Sequence, residues 1–497
     1  MGFSSGNDDK KGFGLLLLSI SLAIFMAALD GTIVNIALPT ISSSFNISTT
    51  TVSWVSTAYL IALAGCVIIF GKISDLIGFK KIFLSGFAIF TIGSFMCGFL
   101  PDLFGSFDLL ILSRVFQAVG GSMMTAIAPA MVTEYIPLQQ RAKAMGLVIT
   151  IAALGTAIGP TVGGLLTEYV SWTWIFFINV PVGIFAVILG LRVVPEDSRV
   201  GSLSGFDYRG GILIFVGLAS LIFAITEGLT IGWTSLSIIA SLLLAAVSLG
   251  YLVFHELRCN DPLLELRLFS NRNFLFANLS LALLFFSFGG VNYLLPFYLE
   301  YVQGYSSAFS GIILTALSLA MMISGIAAGL LYNRIGGRKL SIAAGVIILL
   351  GYFLLTWLKV DTTLSMIVAT LFIIGFGLGL LVTPVTNMIM NSVAKSYQGM
   401  VSSLTTLERF APMPLGIACF NLMLLWGMSV VGRHQHVTSA APANIRIGVL
   451  TAGFDIAFAG AFIAGILILV LALVTRMEVH PDYLNTDDGD EVPLAMV

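Results

Sequence analysis

Gly155-Thr-Ala-Ile-Gly159-Pro160-Thr-Val-Gly163-Gly164 decides the fold of this chain. It lies in an apolar segment that begins just after Arg141 and Lys143. Gly155, Gly159 and Gly163 are spaced four apart, so they share one helix face. Without side chains, that face lets a neighbouring backbone approach closely, the small-xxx-small device of membrane helices. Pro160 removes one helical hydrogen bond and predicts a kink beside the flat face. Glycine and proline are also ordinary in membrane helices. The full string is more demanding, and predicts a close-packed, kinked helix where two bundles meet and move.

Composition supports a membrane setting. The 497 residues are 58% hydrophobic and 10% charged, with a mean hydropathy of +1.02. Soluble proteins carry about 25% charged residues. The near-zero net charge says nothing about nucleic acid, and no nucleic-acid partner is expected of a polytopic membrane protein. Cys66, Cys97, Cys259 and Cys419 show no paired spacing, so neither a disulfide nor a metal site is expected. The nearest approach to a nucleotide loop, Gly65 to Gly71-Lys72-Ile73, has one residue too many and lacks the hydroxyl. No nucleotide and no cofactor are expected, and the chain does not read as an enzyme.

A span needs about 20 apolar residues. Fourteen segments qualify: 13–38, 52–71, 81–100, 108–131, 143–166, 174–194, 210–228, 234–254, 274–300, 307–331, 340–358, 364–391, 399–430 and 447–474. The first is too long for a signal peptide, has no A-x-A site and carries Asp30, so it reads as a retained helix. Placing the N-terminus in the cytoplasm leaves only Lys359, Arg433 and Arg446 on the outer side among the loop cations. Both termini are therefore expected to be cytoplasmic. The tail 477–497, with Asp487, Asp488, Asp490 and Glu491, reads as disordered.

An internal repeat sets the organisation. Gly71-Lys-Ile-Ser-Asp75-Leu-Ile-Gly78-Phe-Lys80-Lys81 follows the second span. Gly329-Leu-Leu-Tyr-Asn333-Arg334-Ile-Gly336-Gly-Arg338-Lys339 follows the tenth. Parallel repeats build two-bundle transporters. The expected division is an N-terminal six-helix bundle in 1–194, two inserted helices with their linkers in 195–272, and a C-terminal six-helix bundle in 273–476.

The chain resembles the fourteen-helix drug:proton antiporter branch of the major facilitator superfamily over nearly its whole length. The matching strings are Leu29-Asp30-Gly-Thr-Ile-Val-Asn35-Ile-Ala-Leu-Pro39, Gly71 to Lys81, Leu110-x-x-x-Arg114-x-x-Gln117, Gly155 to Gly164, and Trp172-Thr-Trp174-Ile-Phe-Phe-Ile-Asn179-Val-Pro181. Leu76 stands where that family usually has Arg, Ala118 where it has Gly, and Asn333 where the first copy of the loop has Asp75. The resemblance implies a major facilitator fold and a proton-coupled exporter of lipophilic, often cationic, small molecules in the cell membrane. It makes Gly155, Gly159, Pro160, Gly163 and Gly164 the antiporter motif. Gly71, Asp75, Gly78, Lys80, Lys81, Asn333, Arg334 and Arg338 form a cytoplasmic latch on this reading. It also places Phe25, Met26, Phe116, Gln117, Met123, Tyr293, Phe297 and Glu300 on helices lining a central cavity. Adaptable Met and aromatic surfaces suit varied lipophilic substrates. Taken singly, each fits a core or lipid-facing position as well. The expected partners are small-molecule substrates, protons and the lipid bilayer, with the protein acting as a monomer.

Charges inside spans are costly and usually functional. Asp30 lies about 24 Å along an outward-running helix, and Arg114 about 9 Å along an inward-running one. In a core of about 30 Å these depths nearly coincide. The pair reads either as a proton-titrated Asp30 held by Arg114, or as a fixed structural ion pair. Arg114 stays charged in both. Adjacent Glu408 and Arg409 point about 100° apart on a helix and do not neutralise each other. Glu408 is a candidate proton or cation site, or one end of an interhelix salt bridge. Asp455 is a further proton candidate. Two other functions stay open: a proton symporter or uniporter for a defined solute, and a non-transporting receptor or scaffold.

Overall fold

A computed structural model describes residues 8–136, 138–196, 207–258, 265–394, 397–434 and 443–476. They form α1 (Asp8–Phe45), α2 (Thr49–Ile77), α3 (Phe79–Phe104), α4 (Phe107–Tyr135), α5 (Leu138–Tyr169), α6 (Trp174–Phe177), α7 (Asn179–Val193), α8 (Tyr208–Ile231) and α9 (Leu236–Glu256). A 3-10 turn at Leu266–Ser270 leads to α10 (Arg272–Phe297), which runs on into a π turn at Tyr298–Val302. Then come α11 (Ser307–Ile335), α12 (Gly337–Leu355), α13 (Leu364–Asn391), α14 (Gln398–Phe410), α15 (Pro412–His434) and α16 (Ala443–Val474). There is no strand among the described residues. The helices make 14 segments long and apolar enough to cross a membrane, with α6 and α7 sharing one and α14 and α15 sharing another. The tail at 477–497 and the loop at 197–206 lie outside the described residues.

The packing repeats as the sequence does. In the first bundle α1 lies on α5 and α7, while α4 packs on α2 and α3, and α3 on α7. In the second, α10 lies on α15 and α16, while α13 packs on α11 and α12, and α12 on α16. The repeated loop glycines explain themselves: Gly78 (φ 104°) and Gly336 (φ 85°) make the tight joints α2–α3 and α11–α12 with backbone angles that side chains disfavour.

Helices α8 and α9 form an inserted hairpin. Only α8 of the pair reaches both bundles, touching α2 on one side and α15 on the other. Trp54 Nε1 on α2 donates to Glu227 Oε1 on α8 at 2.8 Å. The thirteenth span, expected as one helix, is broken at Ala411, where Pro412 cannot supply an N–H to the turn before it.

The bundles are joined firmly at the face opposite the one where α1 begins. Tyr293 OH donates to Thr49 O at 2.5 Å and Tyr301 OH to Pro39 O at 3.2 Å. Asn421 Nδ2 reaches Thr50 Oγ1 at 3.3 Å, and Thr161 and Thr315 hydroxyls pair at 2.6 Å. This face is closed.

Candidate functional site

A polar network is buried inside the first bundle. Asp30 is fully buried on α1, and Arg114 and Gln117 share a face of α4 because they are three apart. Arg114 Nη1 donates to Asp30 Oδ2 at 2.7 Å and to Gln117 Oε1 at 2.6 Å, while its Nε donates to Val55 O at 3.1 Å. Gln117 Nε2 donates to Asp30 Oδ1 at 2.9 Å and to Ser94 Oγ at 2.8 Å. Asn179 Nδ2 makes a longer contact of 3.5 Å with Asp30 Oδ1. The guanidinium lies 3.9 Å over the Tyr59 ring, a contact worth about 2 kcal/mol when dry. Each oxygen of Asp30 thus receives donors from α4, and the charge pair is matched, the condition for tolerating it in an apolar interior. The array can hold a negative charge.

The glycine motif on α5 presents two flat faces. A side chain at Gly155 would meet Phe25 O at 2.8 Å, and one at Gly163 would meet Ile33 O at 2.7 Å and Ile36 Cγ2 at 2.6 Å. At Gly159 it would run into the Thr32 hydroxyl. This face therefore packs on α1 within the first bundle, along the stretch that contains Asp30. The expectation that the Gly155–Gly159–Gly163 face is itself the bundle interface is corrected. The interface is the next face round, one residue on, about 100° away. There a side chain at Gly164 would strike Ser307 O, and one at Gly311 of α11 would strike Pro160 O.

The remaining candidates separate. Glu408 ends α14 at 9% exposure, and its Oε2 has no partner among the described atoms. Arg409, beside it, keeps accessible surface. Asp455, a further proton candidate, is partly exposed and paired: Lys359 Nζ holds its Oδ2 at 2.5 Å. Met26, Tyr293, Phe297 and Met123 are buried in the core, where helix-to-helix packing absorbs them, and do not line an open cavity in this state. Tyr293 and Phe297 stack toward Tyr301, forming the aromatic side of the closed face. Gln117 belongs to the Asp30 network, Phe25 lies under Gly155, and Phe116 is exposed. Glu300 sits half-buried on the π turn, a helix irregularity common at functional sites.

The described contacts of two latch residues are with partners in their own half of the chain. Lys80 bonds Glu196 at 2.7 Å, and that hydrogen bond, with the lysine's charge, holds the exposed carboxylate below the usual range. Arg338 Nη2 donates to Leu473 O at 3.1 Å at the end of α16. A side chain added at Gly71 would meet Ala126 at ordinary distance, and Lys81 and Arg334 are exposed. The side chains of Asp75 and Asn333 lie outside the described residues.

Sequence reasoning gave no role to Ser94, Tyr59 or Glu168. Asn179 stood in a quoted string without one. Glu168 Oε2 accepts from Ala308 N of α11 at 2.8 Å, a partner 140 positions away that no local pattern announces.

Comparison with known proteins places these features. The family model described as Major Facilitator Superfamily matches residues 20–417. The chain is 33% identical over 431 residues to the riboflavin transporter RibZ of Clostridioides difficile (strain 630), covering 86% of this chain and 91% of that one. It is 31% identical over 437 residues to the multidrug resistance protein Stp of Mycobacterium tuberculosis (strain ATCC 25618 / H37Rv), covering 88% and 80%. It is 33% identical over 422 residues to the multidrug transporter protein MdtP of Bacillus subtilis (strain 168), covering 84% and 76%. Among solved structures, a bacterial homologue of the human lysosomal transporter Spinster superposes with a TM-score of 0.67 at 16% identity, covering 93% of this chain and 96% of that one. The D-xylose-proton symporter does so at 0.63 and 14%, covering 94% and 98%. At those identities the likeness speaks for the fold.

Proposed function

The chain belongs to the major facilitator superfamily and is a membrane transporter of small molecules, not an enzyme; we propose that it is a proton-coupled antiporter exporting lipophilic, often cationic, compounds. The observation that carries this reading is the position of α5. One of its glycine faces lies on α1 along the stretch holding Asp30, and the next lies on α11 of the other bundle. A change of charge at Asp30 therefore alters the helix that seals the two bundles. Two bundles rocking about a site between them give alternating access. Proton entry and substrate loading then favour opposite states, which makes the exchange obligatory.

On this reading Asp30 is the coupling carboxylate, Arg114 and Gln117 hold it charged, and Glu408 is a secondary site for a cation. The bundles are residues 1–194 and 273–476, with the inserted pair in 195–272. The protein sits in the cell membrane with both termini cytoplasmic, so the closed face is the outer one. The kinship with two multidrug proteins supports drug export. The kinship with a riboflavin transporter favours a second reading, a transporter for one flavin-like solute.

Efflux of a compound panel from inverted vesicles, with riboflavin included and with and without a pH gradient, tests both. Gradient-dependent movement of several unrelated lipophilic compounds is expected. Movement of riboflavin alone refutes the drug-export reading, and movement with no dependence on the gradient refutes antiport. Labelling at Ser202→Cys from outside intact cells should fail, and ready labelling would overturn the orientation.

A further inference from the structure

Glu168 ends α5 one residue before its last, at the closed face. It comes from the first bundle and bonds the second. Its Oε2 accepts from Ala308 N, within the first turn of α11, at 2.8 Å. The first turn of a helix carries unpaired N–H groups and a partial positive charge, so an anion is stabilised there. The helix's own cap is incomplete without it: Ser306 Oγ accepts from Phe309 N at 3.4 Å, which leaves Ala308 N to the carboxylate. The contact is set among closely approached backbones, since Gly164 abuts Ser307 and Gly311 abuts Pro160. Thr40 adds a hydroxyl contact to Ser307 at 3.4 Å. Neutral contacts make up the other joints described at this face; Glu168 brings a charge to it.

We infer that Glu168 is the pin of the outer gate: its carboxylate completes the N-terminal cap of α11 across the bundle interface and biases the transporter toward the state closed on that face. The bond exists only while the bundles are together at this end. A contact made in one state and not the other shifts the balance between them by its full strength.

The test reads the gate directly, without substrate or gradient, so its outcome is independent of whether transport is proton-coupled. Thr315, paired with Thr161 across the gate, is replaced by cysteine. Its reaction with a membrane-impermeant maleimide is followed from the outside, with labelling of the parent protein subtracted. Glu168→Ala removes both bond and charge and should raise the labelling rate about fivefold. Glu168→Gln keeps an acceptor but loses the charge, and should raise it by less. Because the carboxylate is exposed, salt screens it. Raising the ionic strength should therefore speed labelling when Glu168 is present and leave the Glu168→Ala protein unaffected. Unchanged labelling in both variants at normal membrane abundance, or a salt response that survives Glu168→Ala, overturns the assignment.

Discussion

Asp30→Asn keeps the shape of the buried carboxylate but removes its charge and one of its acceptors. The carboxylate now receives Arg114 Nη1 at 2.7 Å on one oxygen and Gln117 Nε2 at 2.9 Å on the other. An asparagine has a single oxygen, so one of those donors would face an N–H group. Gln117 cannot turn over to relieve this, because its Oε1 holds Arg114 and its Nε2 holds Ser94. A donor left without an acceptor costs about 1–3 kcal/mol, and breaking a buried ion pair at one partner costs about 3–5 kcal/mol in all. The Tyr59 ring beneath the guanidinium is there before and after the change, so it does not enter the difference. A loss of about 3–5 kcal/mol should appear as a lower thermal midpoint in detergent. The double variant Asp30→Asn/Arg114→Gln should recover part of it, since the uncompensated charge is gone. In vesicles the single variant should lose gradient-driven efflux yet retain downhill exchange of substrate for substrate. Proton release on adding substrate to purified protein is the decisive measurement. Wild-type stoichiometry in Asp30→Asn would refute the assignment.

Three further outcomes are expected. Gly159→Leu drives a bulky side chain into Thr32 on α1, an overpacking of about 1–3 kcal/mol, and should stop exchange in a protein that still inserts; full exchange would show that the α1–α5 contact is slack. Glu408→Gln should weaken transport of cationic substrates at least several-fold more than neutral ones, measured as the ratio of apparent KM values, and an equal loss for both classes would remove the cation role. Asp455→Asn breaks a partly exposed pair with Lys359, worth about 0–1 kcal/mol, and should leave efflux within about twofold of wild type; a larger loss would return Asp455 to the proton path.

The fold was legible because a membrane imposes it. Apolar length, loop cations and the recurrence of Gly78 as Gly336 each follow from local chemistry, so span number and repeat could be read without contacts. The apposition of Asp30 and Arg114 followed from depth alone, because a helix of known rise in a core of known thickness acts as a ruler. What the sequence hid was rotation about each helix axis. The α5 motif announces flat faces, but not that Gly159 meets α1 while Gly164 meets α11. For the same reason Met26, Tyr293 and Phe297 looked like cavity residues and lie in the core. Nothing local to Asp455 announces that a lysine from the α12–α13 loop reaches it. Contacts such as Glu168 with Ala308 join parts 140 positions apart and leave no local trace.

Rotation is also where the mechanism resides. Asp30 is sealed inside one bundle, among donors from that bundle's own helices, and touches nothing of the other. The closed gate lies at the end of α5, against α11. A proton at the first place can act on the second only through an element that contacts both. Helix α5 does so on adjacent faces: its glycines sit directly under Phe25, Thr32, Ile33 and Ile36 of α1 on one, and against the backbone of Ser307 and Gly311 of α11 on the next. Close-packed contacts of this kind transmit a shift because they have no slack to absorb it. On the proposed reading, moving α1 to loosen Asp30 from Arg114 displaces the Gly155–Gly163 face, and α5 carries Pro160 and Gly164 away from α11. A leucine at either face should uncouple the two events in opposite ways. Gly159→Leu holds α5 off α1, so proton binding no longer reaches the gate. Gly164→Leu holds α5 off Ser307, so the gate stays ajar whatever the charge on Asp30. Outer-face labelling at Thr315→Cys distinguishes them: raised and insensitive to pH in Gly164→Leu, near the wild-type level but equally insensitive in Gly159→Leu. Retained pH sensitivity in both would mean that α5 does not carry the signal.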